Sequence, residues 1–212
     1  MLLDTLHLAA RRSLWLARLA VVTRILLAAG FIPTGLVKVL GRRFSNVPAT
    51  EGPIWSFFEA MYQTGAYWQF LGWAQVIAGV LLLIPRTAAL GAICFLPIML
   101  NIFVITIALD FGGTVVVAGL MLLGVVFLFL WDFHLWKKLV SSTPVLDPLP
   151  QPSLPWKRVE KTLLAVGTLA GLVVFTVSRG LLPASVFLPA FVTGALAALA
   201  LLPVWILQSR RR

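Results

Sequence analysis

The amino-acid sequence predicts an all-α, polytopic membrane protein with about six transmembrane helices. Of its 212 residues, 60% are hydrophobic and only 11% are charged, whereas roughly 25% are charged in a typical soluble domain. A helix needs about 20 mostly apolar residues to cross a bilayer core of roughly 30 Å. Six such runs are predicted to be spans, at 19–40, 66–84, 88–109, 114–131, 162–178 and 183–207.

The first thirty residues are predicted to belong to the mature protein rather than to a cleaved secretory signal. Four arginines interrupt the apolar stretch, and it has no convincing small-residue cleavage site. Residues 2–18 place apolar side chains on one helical face, and Asp4, Arg11 and Arg18 on another. This pattern is typical of a helix that lies in the membrane interface before the first span.

The positive charges predict that both chain ends are cytoplasmic. With six spans, 13 lysines and arginines fall on the side of the chain ends and four on the other side, namely Lys38, Arg42, Arg43 and Arg179. Short cytoplasmic loops carry an excess of lysine and arginine. The net charge of +10 therefore indicates membrane orientation rather than nucleic-acid binding.

A proline-rich segment divides the chain. Residues 141–155 hold five prolines in fifteen positions and cannot continue a helix. We predict a cytoplasmic linker there, between a unit at 1–140, which contains the interfacial helix and four spans, and a two-span hairpin at 156–212. Gly167 and Gly171 in the hairpin are predicted to pack against other helices.

Short connections predict that spans two, three and four are antiparallel neighbours. The links at 85–88 and 110–114 are tight, and Gly112 and Gly113 are expected to adopt the positive φ angles of the second turn. The longer connection at 41–65 contains the amphipathic stretch IWSFFEAMYQ. It predicts a short surface helix that places Glu59 at the outer mouth of the bundle.

The first span carries a cation near each end of one helical face. Arg24, Ala28, Phe31, Gly35 and Lys38 recur at steps of three and four residues, and the two cations are about 21 Å apart along the axis. In one interpretation both side chains reach to the two interfaces and only mark the length of the span. In the other, they pair with an acid or hold a polar head group.

Two amides are predicted to face each other inside the bundle. One face of span two carries Trp68, Gly72, Gln75, Gly79 and Leu82, and its glycines permit close backbone approach. We expect Gln75 to hydrogen-bond to Asn101 in span three, either as a packing contact or as part of a ligand site.

The stretch WDFHLWKK places Asp132 and His134 at the end of span four. Such a pair could relay protons or contact a quinone head group. On an ideal helix, however, the two side chains point about 200° apart, so they form one site only if the helix breaks. The alternative is an aromatic and basic belt that ends the span.

The redox and metal chemistry open to this chain is limited. A single cysteine, Cys94, excludes an internal disulfide. His7 and His134 both fall near span ends, so no haem held by both is expected, and no motif attaches one covalently. No catalytic residues, metal ligands or covalently bound cofactors are predicted.

Two stretches resemble the DoxX family of small bacterial membrane proteins. They are RILLAAGFIPTGLVKVLG at 24–41 and GWAQVIAGVLLLIPRTAALGA at 72–92. The resemblance covers about residues 18–138 and implies a four-helix bundle, because family members are built that way. It also implies a link to thiol or sulfur oxidation and to quinone-coupled complexes. The matching positions are Arg24, Gly35, Lys38, Gly79 and Arg86, whereas Gln75 replaces an expected acid.

Three functions follow as hypotheses. The first is a noncatalytic accessory subunit of a respiratory or photosynthetic complex in the bacterial inner membrane, where it contacts lipids and other subunits and binds lipid or quinone. The second is a quinone-coupled oxidoreductase component, with a quinone site near Arg24, Gln75, Asn101 and Asp132. The third is a small-solute transporter that uses Arg24 and Lys38. Together these hypotheses select six candidate binding residues: Arg24, Lys38, Gln75, Asn101, Asp132 and His134.

Overall fold

The computed structural model describes residues 7, 9–140 and 157–209, and all regular elements in these ranges are helices. The proline-rich linker predicted at 141–155 lies outside the described residues, as do Asp4 and the last three arginines.

Besides the helical residues 9–12 and two 3₁₀ helices at Ala49–Glu51 and Ala184–Val186, the described chain forms eight α-helices of eight or more residues. They are α1 (Leu14–Val39), α2 (Pro53–Gln63), α3 (Ala66–Leu83), α4 (Ala88–Ala108), α5 (Thr114–Trp131), α6 (Phe133–Val140), α7 (Arg158–Ser178) and α8 (Phe187–Ser209). Six of them, all except α2 and α6, are long and apolar enough to cross a membrane. The prediction of a six-span, all-α membrane protein is thereby confirmed.

The first span begins earlier than predicted. Residues 9–12 are helical, but Ser13 leaves the helical conformation, and its side chain accepts a hydrogen bond from the Leu16 N–H. Such a serine is a favourable N-cap, and α1 therefore starts at Leu14. The prediction of one interfacial helix over residues 2–18 was wrong at its C-terminal end, because Arg18 belongs to α1.

Helix α1 is the centre of the fold. It packs along α3 and also contacts α5 and α7, while α3, α4 and α5 pack in chain order and α7 pairs with α8. Phe31 of α1 meets Phe95 of α4 edge to face, with ring centroids 4.7 Å apart, and both side chains are buried. Helices α1 and α4 therefore both contribute to the apolar core of the bundle.

Helices α1 and α3 cross with their backbones almost in contact. A Cβ atom added to Gly72 would lie 2.7 Å from the Gly35 carbonyl oxygen and 2.7 Å from the Val39 nitrogen. The five residues predicted to share one face of span two are all buried. The expected role of glycine in close helix approach is confirmed here.

The turn between α4 and α5 differs from the prediction in one residue. Gly112 has a positive φ of +42°, as expected, but Gly113 has a helical φ of −59°. Asp110 instead adopts the second left-handed conformation, with φ +45°, which aspartate tolerates better than most residues. Helix α2 forms at the predicted amphipathic stretch.

Candidate functional site

One group of polar side chains surrounds Asp132, at the junction of α5 and α6. Helix α5 ends at Trp131, and the Asp132 N–H donates to the Leu128 carbonyl. The Arg24 Nη2 donates to the Asp132 Oδ2 at 3.0 Å, and the Arg11 Nη1 lies 3.7 Å from the Oδ1. These three residues form what we call the Asp132 cluster. The hypothesis that Arg24 pairs with an acid is confirmed.

Burial and neighbouring opposite charges shift the pKa values of Asp132 and Arg11 in opposite directions. Burial raises the pKa of the Asp132 carboxyl, and the charges of Arg24 and Arg11 limit that rise. Burial likewise lowers the pKa of Arg11, while Asp132 opposes this effect. Arginine nevertheless stays protonated in proteins. The cluster is therefore held by the mutual attraction of its charges in a poorly solvated position.

A second ion pair joins α7 to α1 at the same end of the bundle. The Arg18 Nη2 lies 3.3 Å from the Glu160 Oε1, and both side chains are buried. Glu160 also accepts a hydrogen bond from the Lys157 N–H at the start of α7, and the Arg18 guanidinium lies over the Trp205 ring at 5.1 Å. Sequence analysis missed this pair, although an acid in the first turn of a span is a signal for a buried partner.

His134 lies next to another histidine. Its ring centroid is 5.8 Å from that of His7, and the His7 ring is 6.2 Å from that of Phe133. The helix does break at Asp132, which sequence analysis gave as the condition for one site containing both Asp132 and His134. The carboxylate of Asp132, however, is directed to Arg24 and Arg11.

A second polar group lies at the opposite end of α1. The Lys38 Nζ donates to the Gln75 Oε1 at 3.1 Å and to the Thr34 carbonyl at 3.2 Å. The rings of Phe44 and Trp68 each have their centroid 5.1 Å from this nitrogen. Lys38 is only 6% exposed, so neutral acceptors and aromatic faces replace water around its charge.

Two arginines from neighbouring loops complete this group. The Arg179 guanidinium lies 4.7 Å from the Phe44 ring centroid, and the Arg42 Nη1 donates to the Gly180 carbonyl at 3.5 Å. Within the described ranges, no carboxylate comes within ion-pair distance of Lys38, Arg42 or Arg179. We call these three residues the Lys38 cluster.

One acid close in sequence to the Lys38 cluster is already paired with a neighbouring arginine. Glu59 of α2 accepts two hydrogen bonds from Arg43, at 2.9 and 3.0 Å. The hydrogen bond from Arg43 lowers the pKa of Glu59, and the same bond raises the pKa of Arg43. Both groups face solvent, so this pair contributes little to stability.

The structure does not bring the six predicted residues into one site. Arg24 and Asp132 lie at one end of α1, and Lys38 and Gln75 at the other, about 21 Å away along the helix axis. Asn101 is exposed on α4, so its predicted pairing with Gln75 was wrong. The four residues predicted to lie near a quinone site, Arg24, Gln75, Asn101 and Asp132, therefore do not lie together.

An apolar groove runs between α1, α7 and α8, with a volume of about 430 Å³ and almost no polar surface. We call it the lateral groove. Small residues form much of its floor, among them Gly167, Gly171 and Gly194, while exposed side chains such as Leu26 and Phe191 flank it. The sequence showed the small-residue pattern but did not show that it leaves an open groove.

Comparisons with known proteins give one partial similarity. The chain is 41% identical over 97 residues to the "Uncharacterized protein YwoB" of Bacillus subtilis (strain 168), a match that covers 42% of this chain and 61% of that protein. The chain thus spans less than two thirds of the relative's length. No family model matches the sequence, and no solved structure matches it.

Proposed function

We propose that this chain is a noncatalytic accessory subunit of a bacterial membrane complex and binds the hydrocarbon chain of a lipid or quinone in the lateral groove. The observation that carries the proposal is the groove itself. Its volume of about 430 Å³ falls within the range of roughly 300–1,000 Å³ that is usual for small-molecule sites.

The shape and chemistry of the groove favour a long apolar ligand. On α7 the lining extends from Leu163 to Val174, which is roughly 16 Å along a helix axis. Its apolar lining offers a polar solute almost no hydrogen-bond partner to replace water, and burying an unpaired polar group is costly. An acyl or isoprenoid chain has no such requirement.

The interior of the bundle argues against the transporter alternative. Between Arg24 and Lys38, the inward face of α1 carries Ala28 and Phe31, both buried. A polar solute that moved from one cation to the other would have to cross this apolar stretch. The lateral groove lies on a different side of α1, where Val22, Ile25 and Leu26 line it.

We also propose that α1 and α3–α5 form a DoxX-like four-helix unit. Support comes from the residues that carry the resemblance. Gly35 and Gly79 lie at the contact between α1 and α3, and Lys38 is bonded inside that contact. The charge distribution further supports a location in the inner membrane with both chain ends in the cytoplasm.

The groove can be tested by filling it. Ala198 is exposed and lines the groove, so Ala198→Phe should occupy part of the space that a hydrocarbon chain needs. Ala200→Phe is the matched control, because Ala200 is exposed on the same helix but does not line the groove. Both changes are apolar and should insert into the membrane equally well.

The measurement is the amount of lipid and quinone that stays bound to the protein after purification in mild detergent, read by native mass spectrometry and by extraction. We expect Ala198→Phe to lose bound lipid or quinone and Ala200→Phe to retain it. Equal amounts in the two variants would reject the groove as a binding site. Retained quinone rather than phospholipid would favour the oxidoreductase alternative, and copurifying subunits would support the accessory role.

A further inference from the structure

We propose that the Lys38 cluster binds a phosphate group, supplied by the head group of an anionic lipid or by free phosphate. The site is independent of the lateral groove, because Lys38 belongs to the α1 face that meets α3. Arg42 and Arg179 would contact the phosphate, and Lys38 would supply a third positive charge from inside the bundle.

Positive charge accumulates at the Lys38 cluster, and no acid of the described ranges lies within ion-pair distance of it. Lys38 and Arg179 both lie over the ring of Phe44, at 5.1 and 4.7 Å. Burial lowers the pKa of Arg179, and no carboxylate among the described residues acts in the opposite direction. At Arg11 in the other cluster, by contrast, Asp132 does oppose the same effect. A charge that leaves water without a partner is costly, and a bound anion would remove that cost.

The residues of the Lys38 cluster also have N–H groups that could donate hydrogen bonds to a phosphate. Lys38 uses two of its three N–H groups on Gln75 and Thr34. The Arg179 Nε is buried and has no hydrogen-bond acceptor among the described residues, as is also true of the Arg11 and Arg24 Nε atoms in the Asp132 cluster. Arg42 is exposed and makes only a long hydrogen bond of 3.5 Å to the Gly180 carbonyl. A phosphate oxygen is the strong acceptor that arginine donors pair with most readily.

The three residues of the Lys38 cluster also lie at or near the ends of spans. Lys38 is in the last turn of α1, and Arg42 and Arg179 directly follow the spans α1 and α7. Residues at the ends of spans are expected near the level of the lipid phosphates. Phe44 also packs against Phe58 of α2 with ring centroids 4.7 Å apart. The loop that carries Arg42 is thereby held against the surface helix.

The test compares lipid binding by the full chain and by variants that change this charge. The chain is purified in mixed micelles of phosphatidylglycerol and phosphatidylcholine, and the retained lipids are counted by native mass spectrometry. Because one cation near a membrane surface contributes about 1 kcal/mol to the binding of anionic lipid, Arg42→Gln and Arg179→Gln should each weaken phosphatidylglycerol binding about fivefold.

The matched control is the double variant Arg43→Gln/Glu59→Gln. It removes a cation from the same end of the bundle, but one that Glu59 already neutralises, so lipid retention should not change. The same weakening in this control as in Arg42→Gln or Arg179→Gln would overturn the proposal.

Two further measurements separate the sources of the phosphate and guard against misfolded variants. Inorganic phosphate is titrated against thermal unfolding of the unchanged chain. If phosphate raises the unfolding temperature and this effect needs Arg179, the site binds free phosphate. If the chain retains phosphatidylglycerol but phosphate does not stabilise it, the site binds a lipid head group. If the unchanged chain neither prefers phosphatidylglycerol over phosphatidylcholine nor responds to phosphate, the inference fails whatever the variants do.

Discussion

The cations at the two ends of α1 have different kinds of partner. Both ends hold buried cations, and a buried charge needs a partner because it has lost its water. At one end, Arg11 and Arg24 share Asp132, and Arg18 meets Glu160. At the other end, the partners of Lys38 among the described residues are a neutral amide, a carbonyl and two aromatic rings.

This difference in partners indicates a structural role for the Asp132 cluster and a binding role for the Lys38 cluster. In the Asp132 cluster an acid lies beside both arginines. Together with the Arg18–Glu160 pair, this cluster connects α1 to the end of α5 and to α7, so we expect its role to be structural. In the Lys38 cluster the acceptors are neutral and the positive charge is uncompensated within the described residues. A net charge of this kind attracts an anion from outside. Substitutions in the Asp132 cluster should therefore lower stability, whereas substitutions in the Lys38 cluster should change lipid retention.

The largest effect is expected from Asp132→Asn. This change leaves the buried Arg11 and the partly buried Arg24 without their acid, and removing one partner of a buried ion pair costs about 3 kcal/mol or more of unfolding free energy. The unfolding free energy in mixed micelles should fall by that amount, while phosphatidylglycerol retention at the Lys38 cluster stays unchanged.

Two controls show whether the loss comes from the ion pair. Asp110→Asn removes an exposed acid at a position with φ +45°, which asparagine also tolerates, so it should have almost no effect. Adding Arg24→Gln to Asp132→Asn should recover part of the lost stability, because one unpaired charge disappears. A double variant less stable than Asp132→Asn alone would contradict this account.

An intermediate effect is expected from Gly72→Ala, which acts at the Lys38 end. The new Cβ would lie 2.7 Å from backbone atoms of α1, so α1 and α3 must separate, and overpacking of this kind costs about 2 kcal/mol. The separation should also move Gln75 away from Lys38. We expect lower thermal stability together with altered lipid retention, whereas Asp132→Asn changes stability alone.

Gly113→Ala is the control for this substitution. No atom lies within 4 Å of a Cβ added at Gly113, and its φ of −59° is helical, so alanine should fit without strain. If Gly113→Ala and Gly72→Ala reduced stability equally, the close approach of α1 and α3 would not be the cause.

The sequence allows the spans and their inward faces to be predicted, but not the partners across the fold. Hydropathy and the helical period identify the face from Arg24 to Lys38, because neighbouring turns decide both. The partner of Arg24 is Asp132, 108 residues away, and that of Arg18 is Glu160, 142 residues away. Patterns within one helix cannot predict partners that are so far apart in the sequence.

Asn101 illustrates a second limit of prediction in membranes. Lipid is as apolar as a protein interior, so α4 is apolar on all sides and its inward face cannot be identified from hydropathy. The assumption that a polar residue in such a helix points inward therefore failed for Asn101, which is exposed. The same assumption succeeded for Gln75, because Gly72 and Gly79 mark the contact face of α3.

The smallest effect is expected for the exposed pair of Arg43 and Glu59 beside the Lys38 cluster. Arg43 lowers the pKa of Glu59 in the folded protein, so the pair stabilises the fold above the unfolded glutamate pKa of about 4.3. This contribution is lost as the pH falls through the lower folded pKa, because Glu59 then becomes neutral.

Glu59→Gln should therefore be slightly less stable than the unchanged chain at neutral pH, and the gap should close under acid conditions. Thermal unfolding of both proteins across this pH range measures the gap. A gap that widened as the pH fell would mean that Glu59 is stabilised in its neutral form. Glu59→Gln also frees Arg43 as a further unpaired cation, so phosphatidylglycerol retention should rise slightly at neutral pH if positive charge at this end attracts anions.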